Sequence, residues 1–217
     1  MLKDDIDQFY RDSFNGAERS YFYISDAGKC QRALYFQFKN APRQEPSPRI
    51  LRVFDEGDYV HMRLMSVLFS LGIVRASEVK IPPIELIHGR ADAIIEQEKE
   101  LYVVEIKSSS GFKFRTLKKP QSDHVKQIQL YMHYFNIPHG IVLYENKDTQ
   151  DLKEFAVSYD PPLIQKLLKD FAILKEQIEK DVIPSIPEEV ENWRCRWCEY
   201  RHECKRVEEL KTENPNP

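Results

Sequence analysis

The sequence predicts an α/β core, with strands in the middle of the chain and helices on either side, followed by a cysteine-rich C-terminal segment. Three observations carry this. Strand-like apolar runs fill 73–80, 84–96, 100–108, HGIVLYEN (139–146) and LKEFAVSY (152–159). Helical spacing precedes, interrupts and follows them, which describes an α/β or α+β arrangement of layers. Three of the four cysteines crowd into NWRCRWCEYRHECKR, and the fourth, Cys30, lies near the start.

In chain order, residues 2–14 and 25–38 read as short helices, and NAPRQEPSPR (40–49) as a Pro-rich connection. Residues 50–71 carry Leu51, Phe54, Val60, Leu64, Val67, Leu68 and Leu71 at roughly helical spacing. Three strands follow. Residues 121–136 return to helix, the last two strands come next, and Pro161–Pro162 open a helix over about 161–181. The whole chain, 1–217, reads as a single domain: an N-terminal Cys segment (25–40), a core (50–160), a Cys-rich segment (187–206) and a tail (207–217) expected to fray.

With 41% hydrophobic residues the chain can build a proper core, which excludes a disordered protein. No apolar run is long enough to span a bilayer, and MLKDDIDQFY is too polar for a secretory signal, so a soluble, cytoplasmic protein with no membrane partner is expected. The net charge of −3 carries no global signature of nucleic-acid binding. Locally, residues 107–126 hold Lys107, Lys113, Arg115, Lys118, Lys119 and Lys126 against one acid, Asp123. A run of this kind usually marks a solvated face; here it follows directly on an unusual strand, which makes it a candidate phosphate-contacting patch.

That strand is VVEIKSSSG (103–111). Residues two apart in a strand share a face, so Glu105 and Lys107 point together while Val104 and Ile106 point away. A two-residue turn at Glu98–Lys99 would pair the strand with HGRADAIIEQ and set Asp92 opposite Glu105, with Cβ atoms about 4.5–5.5 Å apart. Two like charges at that separation repel, whereas a divalent cation with its preference for oxygen would hold them. The turn lacks the usual Gly or Asn.

Four motifs occur in order: Gly57-x-x-x-His61, Gly89-Arg90-x-Asp92, Glu105-x-Lys107 and Gln127-x-x-x-Tyr131. Together they resemble the RecB-type branch of the PD-(D/E)XK phosphodiesterase superfamily. The resemblance implies a restriction-endonuclease-like core with a mixed central β-sheet. It implies that His61, Asp92, Glu105 and the Ile106 carbonyl hold Mg²⁺ or Mn²⁺, one imidazole favouring Mn²⁺. Asp92, Glu105 and Lys107 would be the catalytic residues, Lys107 orienting water and stabilising charge. Gln127 and Tyr131, together on one helix face, would position DNA.

The spacing Cys195-x₂-Cys198-x₅-Cys204 with a distant Cys30 supplies four thiols for zinc or an iron–sulfur cluster, and His202 offers a three-Cys, one-His zinc site without Cys30. One Cys before the core and three after it resemble the iron–sulfur nucleases of the RecB branch, including the CRISPR-associated spacer-acquisition exonucleases. ISDAGKCQRALYF matches their N-terminal Cys segment at Cys30, Arg32 and Tyr35, with Gln31 where Pro is common. The resemblance implies a 4Fe–4S cluster as a structural staple, with Trp193 and Trp197 packed around it, and zinc as the alternative. It implies an exonuclease acting on single-stranded DNA ends, often 5′→3′, in partnership with a CRISPR integrase complex; recombination or repair enzymes of phage or host would share the motifs. The rival readings are a non-cleaving DNA-binding module and a zinc-stapled interaction protein.

Overall fold

The computed structural model describes residues 1–14, 16, 21–82, 86–187 and 192–213. From the N-terminus the elements are α1 (Leu2–Ser13), β1 (Phe22–Tyr23), a 3-10 turn (Ile24–Asp26), α2 (Gln31–Phe38), α3 (Pro48–Ser70), β2 (Val74–Lys80), β3 (Ile87–His88), β4 (Arg90–Gln97) and β5 (Glu100–Ser109). Then come α4 (Gly111–Thr116), α5 (Ser122–Phe135), β6 (His139–Asn146), β7 (Leu152–Ser158), α6 (Pro161–Glu179), α7 (Asn192–Arg196) and α8 (Arg201–Glu213). The chain forms two compact units: Tyr21–Gly28 with Arg52–Leu168, and Met1–Ser20 with Lys29–Leu51 and Lys169–Pro217.

The first of these holds a five-stranded sheet in the order β2-β4-β5-β6-β7. It is mixed, because β5 and β6 run parallel while the other neighbours are antiparallel. A parallel pair needs a crossover, here α4 and α5. On one face, Val60, Leu64 and Met65 of α3 cluster with Ala93, Ile95, Val104, Ile106 and Ile141. α5 packs over β5 and β6, and the approach is close at Gly140. A Cβ there would lie 2.8 Å from Met132 Sδ and 2.9 Å from Ile128 Cδ1. Only glycine fits without moving the helix.

The β4–β5 hairpin takes the register expected from the sequence, with Gln97 opposite Glu100 and Ala93 opposite Val104. Glu98 (φ 52°) and Lys99 (φ 70°) both adopt the left-handed conformation that such a two-residue turn demands, without the Gly or Asn that usually supplies it.

Elsewhere the helical readings need correction. The expected helix over 25–38 is broken at Gly28 (φ 80°), and α2 starts only at Gln31. Pro48 and Arg49 belong to α3 rather than to the connection, since Ser47 Oγ accepts from the Ile50 amide at the helix start. Of the residues at helical spacing over 50–71, Val60 and Leu64 are buried, whereas Phe54, Val67 and Leu71 are exposed, Leu71 just past the end of α3. Residues 207–213, expected to fray, continue α8; residues 214–217 lie outside the described part.

In the other unit, α2 is tied to the C-terminal segments. Arg32, 2% exposed, donates to the Pro184 carbonyl at 2.6 Å, to Glu208 Oε1 at 2.5 Å and to Cys204 Sγ at 3.6 Å. Tyr35 donates to Asp181 at 2.8 Å, and the Gln44 amide donates to the Glu199 carbonyl at 2.9 Å. The N- and C-terminal segments thus close on each other through hydrogen bonds.

Candidate functional site

The β4–β5 ladder ends at Ala93 and Val104, one step short of Asp92 and Glu105. Instead of continuing the ladder, the Ile106 amide donates to Asp92 Oδ2 at 2.6 Å. That fixes one oxygen of Asp92 and turns the other, Oδ1, toward His61 Nε2 at 3.2 Å. The two atoms are near but misaligned for a hydrogen bond, and the buried Nε2 finds no partner elsewhere. The Asp92 carboxylate raises the imidazole pKa, against the opposing effect of burial.

Glu105 divides its oxygens the same way. Oε1 accepts from Lys107 Nζ at 2.6 Å and from Gln127 Nε2 at 2.8 Å. Oε2 is buried with no hydrogen-bond partner. An unsatisfied buried carboxylate oxygen costs free energy unless something fills the gap. Burial first, and then Asp92, raise the Glu105 pKa to about 7, with Lys107 pulling the other way. One oxygen of each carboxylate and one imidazole nitrogen are therefore left over. Oxygen and imidazole donors suit a divalent cation, so the residue types fit the implied Mg²⁺ or Mn²⁺; the group whose ligand atoms all lie within 4.8 Å of one another is His61, Glu78 and Asp92, with Glu105 outside it.

A further ligand escaped the sequence reading. His61, Glu78 and Asp92 each offer an atom within 4.8 Å of the others. The pairs on either side, Ser77 with Ala93 and Val79 with Ala91, put Glu78 level with Asp92 across the β2–β4 ladder. Glu78 takes φ 52°, a left-handed conformation that is costly for a non-glycine residue within a strand, and it is salt-bridged to Arg90 at 2.5 Å. Only the β2–β4 register reveals this residue, because nothing in RASEVK marks Glu78 locally.

Gln127 and Tyr131, expected to contact DNA, instead face inward. Gln127 is 7% exposed; it donates to Glu105 and accepts from Lys107 at 3.0 Å, bridging the two charges. Tyr131, 3% exposed, donates to the Arg90 carbonyl at 2.8 Å and accepts from the Arg90 amide at 3.2 Å. Its hydroxyl fixes the backbone two residues before Asp92, and burial raises its pKa. Lys113, Arg115, Lys118 and Lys119 are exposed, on α4 and just after it, with Phe112 exposed beside them. Lys153 caps the end of α4 by donating to the Phe114 and Leu117 carbonyls. His124 is bonded to Tyr144 at 2.7 Å, and burial, helped by Lys107, lowers its pKa to about 4. It is a neutral packing residue at physiological pH.

The sequence profile of the PD-(D/E)XK nuclease superfamily matches residues 17–205. The chain belongs to that superfamily. It is 27% identical over 191 residues to the CRISPR-associated exonuclease Cas4 of Saccharolobus solfataricus, covering 83% of this chain and 85% of the relative. Among solved structures it resembles SSO0001 (TM-score 0.61, 23% identity, 93% and 95% of the two chains). It also resembles an alkaline exonuclease, LHK-Exo, from Laribacter hongkongensis (TM-score 0.56, 14% identity, 80% and 93%), a likeness of fold. The site described above thus belongs to a nuclease-class enzyme. No helix among the described residues is long and apolar enough to cross a membrane.

All four cysteines belong to the second unit, as free thiols. Cys198 has Cys30 and Cys204 as electrostatic neighbours, and burial first, then those thiols, raise its pKa. Cys195 is exposed one turn away, its carbonyl accepting from the Cys198 amide at 3.4 Å. Four thiols in one unit offer the donor chemistry of a thiolate-held metal group, although among the described residues no three of them lie within 4.8 Å of one another. His202, the alternative zinc ligand, is exposed. Trp197, expected to pack against this group, is 85% exposed; the Trp193 side chain lies outside the described residues.

Proposed function

We propose that the chain is a metal-dependent exonuclease that hydrolyses phosphodiester bonds at single-stranded DNA ends. The observation that carries this is the division of labour in the two carboxylates: one oxygen of each is held by the protein, while Asp92 Oδ1 faces His61 Nε2 at 3.2 Å and Glu105 Oε2 is buried without a hydrogen-bond partner. His61, Asp92, Glu105 and the Ile106 carbonyl would hold Mg²⁺ or Mn²⁺, with Glu78 adjoining. Bound there, the ion supplies charge neutralisation at the phosphate and a lowered pKa for its water.

The protein's own share is positioning. Lys107 Nζ has three N–H donors. Two are spent on Glu105 and Gln127, which aims the third at a phosphate oxygen or the attacking water. Gln127 keeps Lys107 and Glu105 in register, and Tyr131 holds the strand that carries Asp92. Lys113, Arg115, Lys118 and Lys119 would contact backbone phosphates.

We further propose that Cys30, Cys195, Cys198 and Cys204 hold a 4Fe–4S cluster as a staple; zinc is the competing occupant. Similarity to a CRISPR-associated exonuclease supports a CRISPR context; spacer acquisition beside the integrase and 5′→3′ polarity are part of the proposal. Recombination or repair would call on the same chemistry. The test is cleavage of end-labelled single-stranded and duplex DNA by anaerobically purified protein, with Mn²⁺ and with EDTA, beside Lys107→Ala. Metal-dependent cutting that Lys107→Ala reduces by at least about 10²-fold is expected. Binding without cutting under every metal would establish the non-cleaving alternative.

A further inference from the structure

A groove of ≈ 620 Å³ runs from the candidate metal site along α3, between that helix and β2. His61 and Glu78 line its inner end, and Met62, Met65 and Phe69 form most of its apolar surface. Met65 is buried as its floor, while Met62 (58% exposed) and Phe69 (54%) stand open to solvent on the wall. Ser66, Ser70 and Ser77 add hydroxyls. No lysine or arginine is among the lining residues.

This composition is wrong for a phosphate backbone, which calls for cationic partners, and right for the apolar faces and polar edges of nucleobases. From His61 to Ser70 the helix advances about 13.5 Å at 1.5 Å per residue, against 3.4 Å per stacked nucleotide, which leaves room for about three to four bases. We infer that this groove receives the unpaired bases next to the scissile phosphate, Met62 and Phe69 providing the contact faces. The backbone would then turn its phosphate to the cation ligands at the inner end. The inference rests on the nuclease reading and adds a subsite to it: the enzyme would grip its strand chiefly by base faces on α3.

Two readouts separate the subsite from the catalysis. The first is single-turnover cleavage of a single strand carrying abasic residues at the three positions flanking the cut. Wild type is expected to cut it at least about 10-fold more slowly than the intact strand, because the base faces that the groove would contact are gone. Met62→Ser/Phe69→Ser should cut the intact strand equally slowly and be indifferent to the abasic change. Val67→Ser, exposed on the same helix outside the groove, should behave as wild type. Equal rates for both strands in wild type would overturn the inference while leaving the nuclease intact.

The second readout is fluorescence of 2-aminopurine placed at those positions. Quenching on binding by wild type, lost in Met62→Ser/Phe69→Ser, would support the groove even if no cleavage were seen. The same quenching in both proteins would overturn it.

Discussion

The carboxylates and the cysteines, both proposed here as metal ligands, are gathered by the fold in opposite ways. Asp92 and Glu105 come from adjacent strands of one hairpin, and a single register sets their separation. Once the sheet forms, these ligands are in place, braced by the Ile106 amide, Lys107 and Gln127. Cys30 and the other three thiols come from opposite ends of the chain, and loop closure between them costs conformational entropy that some other contact must offset. Here Arg32, bonded to Pro184, Cys204 and Glu208, contributes that contact. The carboxylate site should therefore lose chemistry before it loses fold, and the cysteine unit the reverse.

The largest effect expected from that contrast is at Glu105. Glu105→Gln should reduce cleavage by at least about 10³-fold, roughly 4 kcal/mol of transition-state stabilisation, in single-turnover assays. The metal-free variant at pH 8 should melt no lower than wild type, because the substitution removes a buried, poorly satisfied charge. Arg32→Ala should do the opposite, costing about 2 kcal/mol in denaturant unfolding by leaving the Pro184 carbonyl without its hydrogen bond and emptying a buried site, while half-exposed Glu208 returns to water. Gln127→Leu should lie between, slowing cleavage about 10- to 100-fold with little change in melting temperature and shifting the pH–rate profile, since Lys107 and Glu105 lose their bridge.

Metal dependence should also carry a pH signature. Glu105, with a pKa raised to about 7, competes a proton against the cation. Mn²⁺ should therefore raise the melting temperature more at pH 8 than at pH 6. Without metal the sign reverses. The folded-state pKa exceeds the unfolded one, so this group's contribution to stability is fullest below its ordinary carboxylate range and is lost as pH rises through about 7. A metal-induced shift equal at both pH values would show that the cation binds elsewhere.

The smallest effect sharpens the register itself. Replacing Glu98–Lys99 with Asn-Gly should stabilise the hairpin by about 1 kcal/mol, because both residues occupy left-handed backbone at a cost. Cleavage should be unchanged.

Much of the carboxylate site was legible in advance because its information is local. Alternation in VVEIK and the length of the turn were enough to oppose Asp92 and Glu105, even though the turn residues gave no help. β6 could be read to its ends from HGIVLYEN. What escaped the reading depends on non-local pairing. Glu78 becomes visible only once β2 is registered on β4, and the inward role of Gln127 only once α5 is laid over β5. α4 is six residues long, too short for a periodic signal, and β1 and β3 have two residues each. Trp197 was misjudged for a related reason: being next to a cysteine in sequence does not decide which way a side chain faces.

The β4–β5 register, with the Ile106 amide holding Asp92, brings Asp92 and Glu105 to the proposed metal centre beside His61 and Glu78. Mn²⁺ binding, followed by electron paramagnetic resonance at pH 8 in wild type and Glu105→Gln, tests it most directly. The account predicts a tightly bound ion in wild type that is lost, or weakened at least about 10-fold, in the variant. Equal Mn²⁺ affinity in the two proteins would contradict it.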